Sequence, residues 1–205
     1  MAVHVVSIFL RRHSIGRVNV LRSECFTCGV EHSCNAQTAQ VQEAKKLDEY
    51  VSNWGKMRLA VPRDGHCILY AFILGLKEIG VSNTVEELVP KIKSEVMANI
   101  DFYSPFVGDI DLVAELDDYL ESKVYNSSLV DLMLHVLANI TEMSLLVFYT
   151  YMDGVRNLLV PPKQGRSRQM INMAKLGQHY DAILNVSSIK CEKQDETASK
   201  DYSRF

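Results

Sequence analysis

The alternation of apolar and polar positions divides the chain into stretches of helical and strand character. Between residues 36 and 54, Ala, Gln, Glu, Lys and Leu dominate, and Leu47, Tyr50, Val51 and Trp54 recur at helical spacing. This predicts a helix with one apolar stripe, packed on the side of a domain. Residues 57–61 read as a short strand ending at Pro62, and 63–65 as a turn. Residues 67–76 are so dense in Ile, Leu, Ala and Phe that this helix should be buried almost all round, with Gly80 ending it. Thr84 opens the next helix, and Glu87 completes a Thr-x-x-Glu capping box. That helix runs to about residue 100, and residues 101–108, with Pro105, form a break.

Further on, residues 110–124 read as a helix with Asp111, Glu115, Asp117 and Asp118 on wet faces, and 129–140 as a largely buried one. Residues 145–149 are a continuous apolar run with strand composition, expected at the centre of a sheet. A turn at 152–154 leads to a second strand over 155–160. Residues 161–178 are polar, basic at Lys163, Arg166 and Arg168, and read as one long loop; residues 178–186 alternate as a strand. The order, helices first and strands late, predicts an α+β layered domain rather than a doubly wound one. The expected organisation is an N-terminal extension over 1–56 carrying the 36–54 helix, a domain over 57–187, and a disordered polar tail over 188–205.

Composition narrows the classes. The 205 residues carry 22 Lys+Arg against 25 Asp+Glu, a formal charge of -3, which gives no argument for nucleic acid or membrane as partner. No apolar run approaches the ~18 residues of a membrane span. Five Cys, an odd number in a chain of this length, point to a reducing, cytoplasmic setting. Residues 1–23 lack Asp and Glu and hold Arg11, Arg12, Arg17 and Arg22, with the apolar stretch in front of the charges. That is the reverse of a secretory signal; a plain basic arm is expected, with an organelle transit peptide as the alternative.

Cys67 stands directly after a Gly-containing turn and at the start of the apolar helix. A thiol attacks as thiolate, and a helix N-terminus supplies partial positive charge and free N–H groups. Gly65 gives the turn backbone freedom to bring N–H groups, that of Cys67 among them, round to a substrate oxygen, and Asp64 is placed to hold the turn. On position alone a buried structural thiol is the commoner reading. What changes it is a base elsewhere. Of six His, His4, His13 and His32 lie in the extension, His66 adjoins Cys67 and should point away from it, and His135 sits on an apolar helix near Asp131. His179 opens the late strand, where Asp181 shares its face within about 7 Å. A carboxylate so placed fixes the imidazole tautomer and favours an imidazolium paired with a thiolate.

The segment Val61-Pro62-Arg63-Asp64-Gly65-His66-Cys67-Ile68-Leu69-Tyr70-Ala71-Phe72 resembles the nucleophile motif of ovarian-tumour-type (OTU) cysteine proteases, usually Asp-Gly-Asn-Cys followed by apolar residues. His179-Tyr180-Asp181-Ala182-Ile183 resembles the histidine strand of that family, and the elements between agree in order. The resemblance spans roughly residues 57–186. It implies a papain-like OTU fold with a small central sheet flanked by helices. It further implies hydrolysis of isopeptide bonds at the C-terminus of ubiquitin or a ubiquitin-like modifier, without metal or organic cofactor. Carried over, Cys67 is the nucleophile, His179 the base, Asp181 its orienter, and Asp64 with Gly65 and His66 the oxyanion loop. His66 stands where the family usually has Asn, and Tyr125-Asn126-Ser127-Ser128 where many members have a Trp-Gly-Gly turn; both bear on substrate preference and rate. Two alternatives use the same residues: a non-catalytic ubiquitin-binding module, and a polyprotein-processing protease of viral or mobile-element kind.

A second cluster, Cys25, Cys28, His32 and Cys34, holds four residues of zinc-ligand type. All four fall within ten residues, too tight to wrap one ion easily, so reduced thiols in a loop are expected, with a zinc site or a Cys25–Cys28 redox pair as alternatives. The acidic 109–118 helix would suit a basic tail such as that of ubiquitin, although a solvated face is the simpler reading.

Overall fold

The computed structural model describes residues 31–187 apart from 125, 152, 153, 166 and 168, with side chains from residue 40 onward, those of 127 and 128 excepted. The basic arm, Cys25, Cys28 and the expected tail lie outside the described residues, as do the side chains of His32 and Cys34.

Helix α1 (Glu31–Ser52) leads into strand β1 (Lys56–Leu59). Five helices follow: α2 (Cys67–Glu78), α3 (Val85–Ala98), α4 (Ile100–Val107), α5 (Leu112–Ser122) and α6 (Ser127–Thr141). Strands β2 (Ser144–Tyr151), β3 (Gly154–Val160), β4 (Met170–Leu176) and β5 (His179–Asn185) complete a sheet of order β1-β5-β4-β2-β3. Only β2 and β4 are parallel; the other pairs run antiparallel.

The sheet is covered on both faces, and strand parity assigns each residue to one of them. Leu145 and Val147 of β2, Ile171 and Met173 of β4, and Tyr180, Ala182 and Leu184 of β5 join the main core with Phe72, Leu76, Leu132 and Val136. Residues of opposite parity, Phe148, Ala174 and Ile183, form a smaller core with Leu47 and Val51 of α1. The apolar stripe of α1 therefore packs on the sheet face opposite α2, and Tyr50 and Trp54 add ring contacts to Phe148 at 6.1 and 6.2 Å. Burying each of the fully covered side chains, Leu47, Val51, Phe148 and Ile183, is worth about 1.5–3 kcal/mol.

The capping box of α3 forms as the sequence predicts: Thr84 Oγ1 accepts from Glu87 N–H, and Glu87 Oε2 accepts from Thr84 N–H. Two expectations are corrected. The break at 101–108 is helix α4, with Pro105 inside it; its Tyr103 is fully buried and the hydroxyl is fixed to Glu95 and Asn139, which anchors the helix to α3 and α6. The long loop at 161–178 is interrupted by β4, a central strand. Because both faces of β4 are covered, it lacks period-2 alternation, and Asn172 and Lys175 dilute its apolar run.

Candidate active site

Strand β1 ends at Leu59, opposite Ala182, so among the described residues no strand lies beside the first three residues of β5 on that side. The chain of Val61 to Cys67 fills this gap. Val61 N–H donates to Asp181 Oδ1 at 3.1 Å, and the Cys67 thiol lies against the backbone N–H of Tyr180. An open cleft of about 410 Å³ results, lined among others by Arg63, Asp64, Gly65, Cys67, Lys123 and His179. Residues 67 and 179, more than a hundred positions apart in sequence, thus face one cavity.

On the strand side, the imidazole Nε2 of His179 is 2.9 Å from Asp181 Oδ1. Both residues project from the α1 face of β5, as their parity requires, while Tyr180 and Ala182 pack into the main core. With Nε2 engaged, Nδ1 is the ring nitrogen left to act toward the cleft. Asp181 is almost wholly buried and accepts three donors: His179, Val61 N–H, and Arg58 Nη1, which reaches Oδ2 at 2.7 Å.

On the loop side, Asp64 holds the turn as its residue type predicts, accepting His66 N–H at 2.9 Å on one oxygen and the Tyr70 hydroxyl at 3.3 Å on the other. Gly65 is needed for a reason other than the conformational freedom expected of it. Its φ is not positive; a Cβ there would lie 2.2 Å from the Lys123 carbonyl oxygen. Its N–H donates to that oxygen at 2.7 Å, and its own carbonyl accepts the Tyr119 hydroxyl at 2.7 Å. The end of α5 therefore clamps the loop, and no side chain fits between them.

The N–H groups expected to face a substrate oxygen are engaged inside the protein: Gly65 with Lys123, His66 with Asp64 Oδ1, and Cys67 with the Asp64 carbonyl at 3.2 Å. Cys67 itself is only 2% exposed. Burial pushes its thiol above the ordinary cysteine range, against which the Tyr180 and Ile68 N–H groups pull it down.

His66 points away from the cleft, as adjacency to Cys67 suggests. Its ring is buried between Tyr70 and Tyr119, with Nε2 3.3 Å from the Tyr119 carbonyl and Nδ1 without a partner. Burial lowers its pKa below that of an ordinary imidazole. His135 is likewise structural, its ring 4.9 Å from that of Phe106. Asn126 of the 125–128 segment donates to Glu115 at 2.7 Å. On the acidic helix, Asp111 caps α5 and Asp117 pairs with Lys93 at 2.7 Å.

Sequence reasoning missed Arg58, Asp48, Tyr119 and Lys123. Each acts through a partner set by tertiary packing, and no local motif marks it. Among the described residues no group of three His, Cys, Asp or Glu is arranged to hold a metal ion, and no helix is long and apolar enough to cross a membrane.

No family model and no curated protein sequence matches the chain. In three dimensions it is similar to the OTU domain of OTUD1, with 17% identity over 72% of this chain and 99% of that one and a TM-score of 0.58. It is also similar to an OTU deubiquitinase from Wolbachia pipientis wMel bound to ubiquitin, with 15% identity, 65% and 98% coverage and a TM-score of 0.50. The viral OTU domain protease from Dera Ghazi Khan virus gives 14%, 64% and 82%, and 0.50. The fold of this chain is that of an OTU domain.

Proposed function

We propose that the chain is a cysteine-type deubiquitinase, hydrolysing the isopeptide bond at the C-terminus of ubiquitin or a ubiquitin-like modifier. The observation that carries this reading is the shared cleft of Cys67 and His179, with the imidazole already tied to Asp181 through Nε2. His179 Nδ1 takes the thiol proton, and Cys67 Sγ attacks the carbonyl carbon of the modifier's last residue. The tetrahedral intermediate collapses as His179 protonates the leaving lysine amine, leaving a thioester. Water, deprotonated by His179, then attacks the thioester and releases the modifier and the thiol. Asp181 holds the imidazole in the tautomer this needs. Asp64 shapes the loop that carries Gly65 and His66. No step calls for a metal or organic cofactor.

The test is a ubiquitin C-terminal electrophile offered to the protein. Wild type should form a covalent adduct at Cys67, and Cys67→Ala should lower labelling by about 10³-fold or more. Intact, folded wild type that takes neither ubiquitin nor ubiquitin-like probes would sink the reading.

A second reading is a non-catalytic binding module. It is favoured by the buried thiol, its raised pKa and the engaged N–H groups of Gly65, His66 and Cys67. It predicts ubiquitin binding that Cys67→Ala leaves unchanged and no turnover by wild type.

A further inference from the structure

We propose that Arg58, anchored by Asp48 of α1, is a positioning residue for the base: it fixes Asp181 and, through Asp181, the direction in which His179 presents its free ring nitrogen. The inference deepens the reading of Cys67 and His179 given above and rests on it.

Arg58 lies on β1 opposite Ile183, and so shares a sheet face with residues 181 and 179 by parity. Its fork grips Asp48 twice, Nε to Oδ1 at 2.7 Å and Nη2 to Oδ2 at 2.9 Å. The third guanidinium nitrogen, Nη1, reaches Asp181 Oδ2 at 2.7 Å. The Arg58 side chain is 17% exposed and that of Asp181 1%. Such charge-assisted contacts, part-buried and geometrically matched, are the strong kind.

Consider Asp181 without Arg58. Its Oδ1 would keep Val61 N–H and His179, but Oδ2 would be a buried oxygen with no donor. Leaving such a group unmade is costly, and the carboxylate would turn to recover a partner. Any turn swings Oδ1, and with it the imidazole. Arg58 opposes this because its own plane is held by Asp48, on a helix that contributes no group to the reaction. A lysine cannot do the same: it reaches Asp181 as a point charge but cannot hold Asp48 with a second edge. Among the described residues, the charged and titratable groups around Asp181 are Arg58 from β1, Asp48 behind it from α1, His179 on its own strand and Cys67 from α2. Arg58 is the cation that balances them, and the two carboxylates raise its pKa further.

The test uses the full chain as wild type, Arg58→Met, Arg58→Lys and Asp48→Asn. Two quantities are measured: kcat and KM on a ubiquitin C-terminal fluorogenic amide, and the 15N signature of the His179 ring in the free protein. Wild type should show the proton on Nε2. Arg58→Met should lose that single tautomer and lower kcat by about 10- to 100-fold with KM nearly unchanged. Arg58→Lys should recover part of both. Asp48→Asn alters a half-exposed carboxylate outside the cleft, so it should fold as wild type and shift both readouts by a few-fold in the same direction. Should Arg58→Met not fold, Asp48→Asn decides. Folded variants with wild-type kcat and an unchanged ring signature overturn the proposal. A wild type inert to every modifier substrate overturns the deubiquitinase reading instead, while the ring signature of wild type against Asp48→Asn still decides the role of Arg58.

Discussion

The two arms of the cleft are built to different states. The histidine arm is fully wired: His179 leans on Asp181, Asp181 accepts three donors, and Arg58 ties that carboxylate to α1. The cysteine arm is closed: the Cys67 thiol is buried and its pKa shifted upward, and the N–H groups of Gly65, His66 and Cys67 are spent on Lys123 and Asp64. The difference teaches that preorganisation in this site lies with the imidazole. On the proposed deubiquitinase reading, an arriving substrate would find His179 in place but would have to open the loop before an oxyanion could be held.

The contrast can be broken at several points. The largest effect is expected from Asp181→Ala, which removes the acceptor for His179 Nε2 and should lower kcat on a ubiquitin amide by about 10²- to 10⁴-fold. A loss below tenfold would mean that the imidazole is oriented by something other than the strand.

Next comes Gly65→Ala, whose new methyl meets the Lys123 carbonyl, a backbone atom with little room to yield. Urea unfolding should show a loss of about 1–3 kcal/mol. An unchanged midpoint would show that the clamp between α5 and the loop is looser than the hydrogen bonds imply.

The smallest effect concerns the thiol. Because burial raises its pKa, the thiolate should be scarce near neutrality in the free protein. Iodoacetamide modification of Cys67, followed by peptide mass spectrometry, should climb about tenfold per pH unit between roughly pH 6 and 8. A rate flat across that window would mean that the thiol is already ionised, and would erase the difference between the arms.

Much of the local structure was readable from the pattern of side chains. The apolar density after Cys67 marks α2, the Thr84–Glu87 pair marks the start of α3, and the run at 145–149 marks a central strand. His179 and Asp181 meet because two residues on a strand share a face. The sequence was silent on β4, whose two covered faces leave no period-2 alternation and whose apolar run is diluted by Asn172 and Lys175, and on α4, whose Pro105 reads as a stop. It also misstated why Gly65 is glycine: a turn motif suggests backbone freedom, whereas the requirement is contact with a chain segment some sixty residues away. His66, a departure at the level of motif, places its ring in the core beside Tyr119 and away from the cleft.

The sequence by itself determined what depends on neighbours within a few positions: a thiol at a helix start after a turn, a histidine and an aspartate on one strand face, and the caps and stripes of the helices. Tertiary structure alone decided which distant groups complete them. Cys67 and His179 line one cleft because β1 stops short of the first residues of β5; Arg58 meets Asp181 because β1 lies beside β5 and α1 above both. Lys123 locks the loop because α5 ends against it. Those contacts follow from strand order and close packing, which no short window of residues encodes.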